Sequence, residues 1–230
     1  AYPLDKVSID LTDKAALQDG AQTFANYCMG CHGAKFQRYE RVATDLGISE
    51  ELMMDNLVFP DAKFGDHMKS SMRDTDAKLW FGAPPPDLTM VARVRSADWL
   101  YTYMRTFYED PSRPYGANNK AFVLVGLQGR QEIGCKQVQI IEDGKKVFDP
   151  LTGVPLTHES CDELTIVPNT GTLSEAEFDE KIKNLVTFLE YSANPVKLKS
   201  QRIGTYVLLF LAFFFVFAYF LKREYWKDVH

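Results

Sequence analysis

Cys28-Met29-Gly30-Cys31-His32 is the stretch on which the reading of the whole chain turns. C-x-x-C-H is the attachment sequence of a c-type haem: two thiols add across the vinyl groups, and the adjacent imidazole becomes the proximal ligand of the iron. With four Cys and four His in 230 residues, composition alone would produce the pattern in roughly one such chain in a thousand. A zinc site would need a second ligand pair at finger-like spacing, whereas Cys135 and Cys161 stand singly, more than a hundred residues downstream. A dithiol redox site is the remaining alternative. Such motifs follow a β-strand, and here the preceding residues have helical spacing: Leu17, Ala21, Phe24, Tyr27 and Cys31 keep one stripe inward. The motif therefore closes a helix that Thr12 or Asp13 caps, and Gly30 and Gly33 let the chain turn away.

At the other end, Ile203 to Leu221 is free of charge. As a helix it measures about 28 Å, close to the roughly 30 Å hydrocarbon core of a bilayer. Phe210 to Phe220 offers no polar face to water, so a membrane span is expected. Lys222, Arg223 and Lys227 follow, with Tyr225 and Trp226 as interfacial anchors. The positive-inside rule then places residues 222–230 on the cytoplasmic or matrix side and the large N-terminal part on the opposite face. A linker is expected over 196–202, between a haem domain at 1–195 and the span at 203–221.

The whole chain carries 26 basic and 31 acidic residues. The tail holds three basic and two acidic ones, which leaves 23 against 29 elsewhere, a net charge of −6. Such a domain is a poor partner for nucleic acid and attracts small basic proteins. Cys135 and Cys161 suit an oxidising compartment, where a bridge between them would close a loop of about 25 residues; two free thiols are the alternative. Between the ends, helices are predicted over Asp98–Tyr108 and Leu173–Ser192. The second has a Ser174/Glu177 capping box, a stripe of Phe178, Ile182, Leu185 and Leu189, and a stop at Asn194-Pro195. Gly20 would let that helix cross the first one closely. A hairpin is predicted over Val138–Phe148, around Asp143-Gly144.

Taken in order, several further motifs resemble the cytochrome c1 family, the haem subunits of quinol:cytochrome c oxidoreductase (bc1) complexes. They are Asp19-Gly20-Ala21-Gln22 ahead of the haem motif, Gly82 to Leu88 (GAPPPDL), Arg93-x-Arg95, Thr187 to Tyr191 with Asn194-Pro195, and one C-terminal anchor ending in a basic pair. The resemblance implies a mainly α, class I cytochrome c-like domain with long loops and a small hairpin insertion, plus one transmembrane helix. It implies one covalent haem c per chain, held by Cys28 and Cys31, with His32 on the iron. The Pro84–Leu88 loop, Pro85 and Leu88 included, would pack on the haem, and Arg95 would pair with a propionate, since a guanidinium binds a carboxylate through two parallel hydrogen bonds.

Single electrons would pass from a Rieske iron-sulfur protein to a soluble or tethered cytochrome c. No acid–base pair is expected in this chain, because the quinol chemistry would belong to a cytochrome b partner. A dimeric complex in a bacterial inner membrane is implied, with the haem domain in the periplasm. Two alternatives are a membrane-tethered cytochrome of another respiratory complex and a haem sensor with an open sixth site. His67, His158 and His230 match no ligand of the family and are expected at the surface.

One departure concerns the sixth ligand. The family uses a methionine downstream of the proline-rich loop, yet no methionine follows Met104. Its place would be where Phe122 runs directly into Val123. Either the natural chain carries several more residues there, which is the expectation, or this haem takes another sixth ligand. Met90 and Met104 are the nearest substitutes, and helix packing is the expected role of each.

Overall fold

The computed structural model describes residues 3–59, 61–109, 125–142, 145–150 and 152–227. Helix α1 spans Lys14–Thr23 and is capped by Asp13, whose carboxylate accepts a hydrogen bond from the Ala16 backbone N–H (3.0 Å). It widens into a π-helical turn, Phe24–Cys28, in which the Met29 N–H reaches the Phe24 carbonyl (2.9 Å). One extra residue per turn shifts the facing of everything beyond it, and the haem motif begins at that point.

Helix α8, Glu175–Ala193, starts on the predicted capping box: the Glu177 N–H donates to the Ser174 hydroxyl and the Ser174 N–H to the Glu177 carboxylate. The predicted stripe of Phe178, Ile182, Leu185 and Leu189 is buried, and so are Val186 and Phe188. Burial extends beyond one stripe because α8 is enclosed on several sides, by α1 and by α5 (Val91–Arg95) and α6 (Ala97–Arg105). It crosses α1 at Gly20, where a Cβ would lie 2.0 Å from the Asn184 carbonyl oxygen. Phe24 and Phe188 pack beside the crossing at a ring separation of 5.6 Å. Asp19 seals the rim by accepting from Lys181 Nζ (2.6 Å) and Asn184 Nδ2 (2.9 Å).

The helix predicted over Asp98–Tyr108 ends at Arg105. That guanidinium forks onto the Asp179 carboxylate (2.5 and 2.9 Å) and also reaches Asp5 (2.7 Å), tying α6 to α8 and to the N-terminal segment. The carbonyls left open at the end of α6 are met by buried side-chain amides: Gln128 donates to Arg105 O, and Gln131 to Arg105 O and Phe107 O.

From there an antiparallel ribbon extends, β3 (Gln131–Gln139) against β6 (Thr157–Ile166), with a register break between Gly134 and Lys136. At its far end β4 (Ile141–Glu142) pairs with β5 (Lys145–Lys146), and Asp143-Gly144 lies outside the described residues. The predicted Val138–Phe148 hairpin is thus the tip of a longer ladder. Helix α9, Lys197–Tyr225, contains the predicted span and has no buried side chain. The segment expected as a linker is already helical from Lys197 onward.

Candidate functional site

The haem motif is built as a tight turn on the end of the first helix. Cys28 O accepts hydrogen bonds from the N–H groups of Cys31 (3.0 Å) and His32 (2.7 Å), so both thiols and the imidazole leave one short arc of backbone. Met29 between them is fully buried, with the Tyr39 hydroxyl 3.8 Å from its sulfur, while Gly30 is exposed. The two variable positions of C-x-x-C therefore do different work: one pins the turn to the core and the other gives it room.

Strand β1 (Ala34–Arg38) follows directly and pairs with β2 (His67–Met68), carrying the chain into α2 (Tyr39–Leu46). Helix α4, Asp74–Phe81, ends at Gly82 in a left-handed conformation (φ 80°) that turns the chain into the proline-rich loop. Three hydrogen bonds clamp that loop onto the motif. His32 Nδ1 lies 2.7 Å from the Pro86 carbonyl, the Leu88 N–H donates to Gly33 O (2.8 Å), and the Lys35 N–H donates to Asp87 Oδ2 (2.7 Å). Asp87 Oδ1 also accepts from the Thr89 N–H (3.1 Å) and hydroxyl (2.6 Å), fixing the loop's own shape. Leu88 is buried and Pro85 half-buried. A side chain at Gly33 would press on Ser70 N (3.2 Å) and Asp87 Oδ2 (3.3 Å), so glycine keeps these segments in contact.

The predicted residues Cys28, Cys31, His32, Pro85 and Leu88 therefore lie together across 60 residues of sequence. Arg95 does not join that clamp. It is exposed at the end of α5, with its guanidinium 5.2 Å from the Trp99 ring centroid. Asp87 escaped the sequence reading, although the D-x-T spacing after a proline run is the signal of a local side-chain-to-backbone turn. Ser70 and Ser71, whose hydroxyls both donate to Gly30 O (3.3 Å), escaped it too. His67 is half-buried with its Nδ1 enclosed, unlike the surface histidine expected, because the pairing of β1 with β2 covers it; His158 is exposed and His230 lies outside the described residues.

These residues fit a covalent haem. A peptide carbonyl accepts only an N–H, so the Pro86 contact places a proton on Nδ1 of His32 and leaves Nε2 as the nitrogen that could face a metal. Neither Cys28 nor Cys31 is bridged. Burial, and secondarily the Cys31 thiol beside it, push the Cys28 thiol up to about 12. Attacking thiols of dithiol oxidoreductases have lowered values, the opposite direction from this one. A cleft of about 400 Å³ opens beside Cys31, lined by Gly33, Ser70, Met72, Pro84 and Pro85. The Phe122–Val123 junction lies outside the described residues.

The model of the cytochrome C1 family matches residues 156–229. Over 238 aligned positions the chain is 48% identical to a cytochrome c1 of Allochromatium vinosum, covering 99% of this chain and 90% of that protein. The chain belongs to the cytochrome c1 family. A protein named ammonia monooxygenase gamma subunit, from Nitrosomonas europaea, is 39% identical across 99% of this chain and 89% of its own length. Cytochrome c1 of Rhodospirillum rubrum is 26% identical across 94% and 83%. Members of the family carry covalent haem c, and this chain is the haem-carrying electron-transfer subunit of a bc1 oxidoreductase complex that includes cytochrome b and Rieske subunits. Through α9 it is a membrane-anchored subunit. The tethered cytochrome of another complex and the open-site sensor are not favoured.

Proposed function

We propose that Cys28 and Cys31 hold the haem through thioether bonds and that His32 Nε2 is its proximal ligand. The bound haem supplies a one-electron ferric–ferrous couple. The chain's own work is to orient the imidazole, cover the ring and set the potential. The contact that carries this reading is His32 Nδ1 to the Pro86 carbonyl, since it fixes the tautomer, turns the ring and raises the basicity of the ligating nitrogen. Pro85 and Leu88 cover the ring beside it. Arg95, braced on Trp99 and making no ion pair among the described residues, is assigned to a propionate.

The experiment is a peptide mass and spectrum on the purified complex. The peptide holding residues 28–32 should carry haem after acid-acetone treatment. Cys28→Ala should leave a single thioether and a red-shifted α-band, and His32→Ala should abolish the low-spin spectrum. A colourless extracted chain would overturn the assignment.

We further infer that electrons leave to a soluble or tethered cytochrome c, drawn by the net charge of −6 outside the tail, three basic and two acidic residues of it having been set apart. The same reading places residues 1–195 in the periplasm, residues 222–230 in the cytoplasm and the complex as a dimer in a bacterial inner membrane. A reporter fused after His230 that is active only in the cytoplasm tests the orientation. The sixth ligand is assigned to a methionine in a segment between Phe122 and Val123. The Allochromatium alignment is eight positions longer than this 230-residue chain, which leaves room for such a segment. A mass matching direct Phe122–Val123 linkage in the mature protein would overturn it.

A Cys135–Cys161 disulfide completes the reading. The β3–β6 ladder pairs Gly134 with Glu163 and Lys136 with Ser160, so the register break sets Cys135 across from residues 161 and 162. Thiol alkylation without reductant should spare both cysteines; labelling of either would exclude the bridge.

A further inference from the structure

Helix α5 starts on the loop clamped to the haem motif: the Leu88 N–H donates to Gly33 O, and the Val91 N–H donates to Leu88 O (3.2 Å). Its five residues cover about 7.5 Å and end at Arg95, so that side chain springs from a point one short helix away from the clamp. Both arginines of α5, Arg93 and Arg95, are exposed, and neither makes an ion pair among the described residues. The carboxylate in the first turn of α6, Asp98, is already engaged by Lys6 Nζ (2.7 Å) and the Val7 N–H (3.0 Å). The charged pair between α6 and α8, Arg105 with Asp179, lies at the other end of α6.

What separates the two arginines is what lies behind them. The Arg95 guanidinium carbon stands 5.2 Å from the Trp99 ring centroid. Trp99 is stacked on Tyr103 (4.6 Å, 13° between planes), and Tyr103 meets the buried Phe107 edge-on (5.2 Å). Ring follows ring at a spacing of four residues, which makes one row from Phe107 in the core to Trp99 under the guanidinium. The corner between α5 and α6 is Ser96, at φ 77° and ψ 156°, a conformation natural to glycine and costly to serine. Its hydroxyl accepts from the Trp99 N–H (3.3 Å) and its N–H donates to Ala92 O (3.0 Å), so the corner is tied both to the ring and to the helix that carries Arg95.

We propose that Trp99 is a positioning residue for the haem: its ring, backed by Tyr103 and Phe107, holds the Arg95 guanidinium in the orientation that meets a haem propionate. This rests on the assignment of Arg95 to a propionate and adds the group that makes Arg95, rather than Arg93, the partner. A guanidinium lying over a ring keeps its N–H fork free for a carboxylate.

The test is the haem midpoint potential of the intact complex, measured optically against pH. A guanidinium beside a carboxylate favours the ionised form, so the profile bends at a pH that Arg95 keeps low. Arg95→Gln should move the bend upward by about 1–3 pH units. Trp99→Met keeps bulk and loses the ring face. It should move the bend the same way by about 0.4–0.7 pH unit, which is about a two- to fivefold change in proton affinity. Trp99→Phe keeps a ring face and should return most of that displacement. In Arg95→Gln/Trp99→Met the bend should stand where Arg95→Gln alone puts it, because the ring acts through the arginine. A merely structural tryptophan would lower the melting temperature and leave the bend in place. An unmoved bend in Arg95→Gln removes the propionate assignment and this proposal with it. A bend that Arg95→Gln moves and Trp99→Met does not, or displacements that add in the double variant, overturns the positioning role alone. So does failure of both Trp99→Met and Trp99→Leu to load haem, which would make the ring a folding element.

Discussion

His32 is oriented by a group that lies 54 positions away in sequence, and that group is a backbone carbonyl rather than a side chain. Substituting Pro86 would leave the acceptor in place, so the residue that controls the imidazole's orientation is the one that controls the loop. Asp87 is that residue. Its two oxygens take the Lys35 N–H, the Thr89 N–H and the Thr89 hydroxyl, and the Thr89 hydroxyl in turn accepts from the Phe36 N–H (3.3 Å). Hydrogen bonds to a charged group contribute about 1.5–3 kcal/mol each, and part of that returns when water replaces the carboxylate at a half-buried site. Asp87→Ala should therefore cost about 2–3 kcal/mol of stability and loosen the Pro86 contact. Thermal unfolding of the haem-loaded complex checks the first effect and the haem reduction potential the second. Asp87→Asn retains acceptor capacity on one oxygen and should fall between the two. An alanine variant with unchanged melting and potential would show that the loop holds itself.

At the scale of elements, the crossing of α1 and α8 rests on one missing side chain. A Cβ at Gly20 would stand 2.0 Å from Asn184 O, 2.7 Å from Asn184 C and 2.8 Å from Phe188 Cβ. Two of these atoms are backbone, so no rotamer change relieves the clash and the helices must separate. Overpacking of this kind costs about 1–3 kcal/mol and more where backbone has to move. Gly20→Ala should lower stability by at least about 3 kcal/mol, even though alanine is the better helix former by about 1 kcal/mol. Denaturant unfolding of the complex reads the difference, and a stabilised variant would refute the close crossing.

This crossing was legible in sequence because its signals are local: a capping box, a three-to-four stripe and a glycine inside a helical pattern. The ribbon was legible only at its tip. Its ladder pairs residues as far apart as Gln131 and Ile166, and both strands mix charged with apolar residues, so no clean alternation marks them. The short helices α2, α4 and α5 span too few turns to reveal a period. The haem motif itself could be read from five residues. The clamp that orients it could not, since all three of its hydrogen bonds join segments more than fifty positions apart.

The whole molecule is a haem domain on a stalk, and the two parts share almost no core. None of the side chains of α9 is buried, while the last buried residues of the domain, Tyr191 to Ala193, lie at the end of α8. Tyr191 closes the domain through its hydroxyl on Asp45, and Asn194 ends α8 with its N–H on the Glu190 and Tyr191 carbonyls. A chain stopped after Pro195 keeps all of these contacts. What it loses is the Lys197 N–H bond to Asn194 O and the part-buried Lys197–Glu190 ion pair, together worth about 1 kcal/mol. It also loses the apolar run, whose transfer from water holds the protein in the membrane. The truncated chain should therefore leave the membrane fraction and keep its covalent haem, with thermal unfolding within about 1 kcal/mol of the same domain in the full chain. Differential centrifugation followed by a haem stain on the denatured polypeptide reads both outcomes at once. A truncated chain that still sediments with membranes would assign the anchoring to the domain's own surface. One that is soluble but colourless would mean that haem attachment depends on the span, and the independence of the two parts would have to be abandoned.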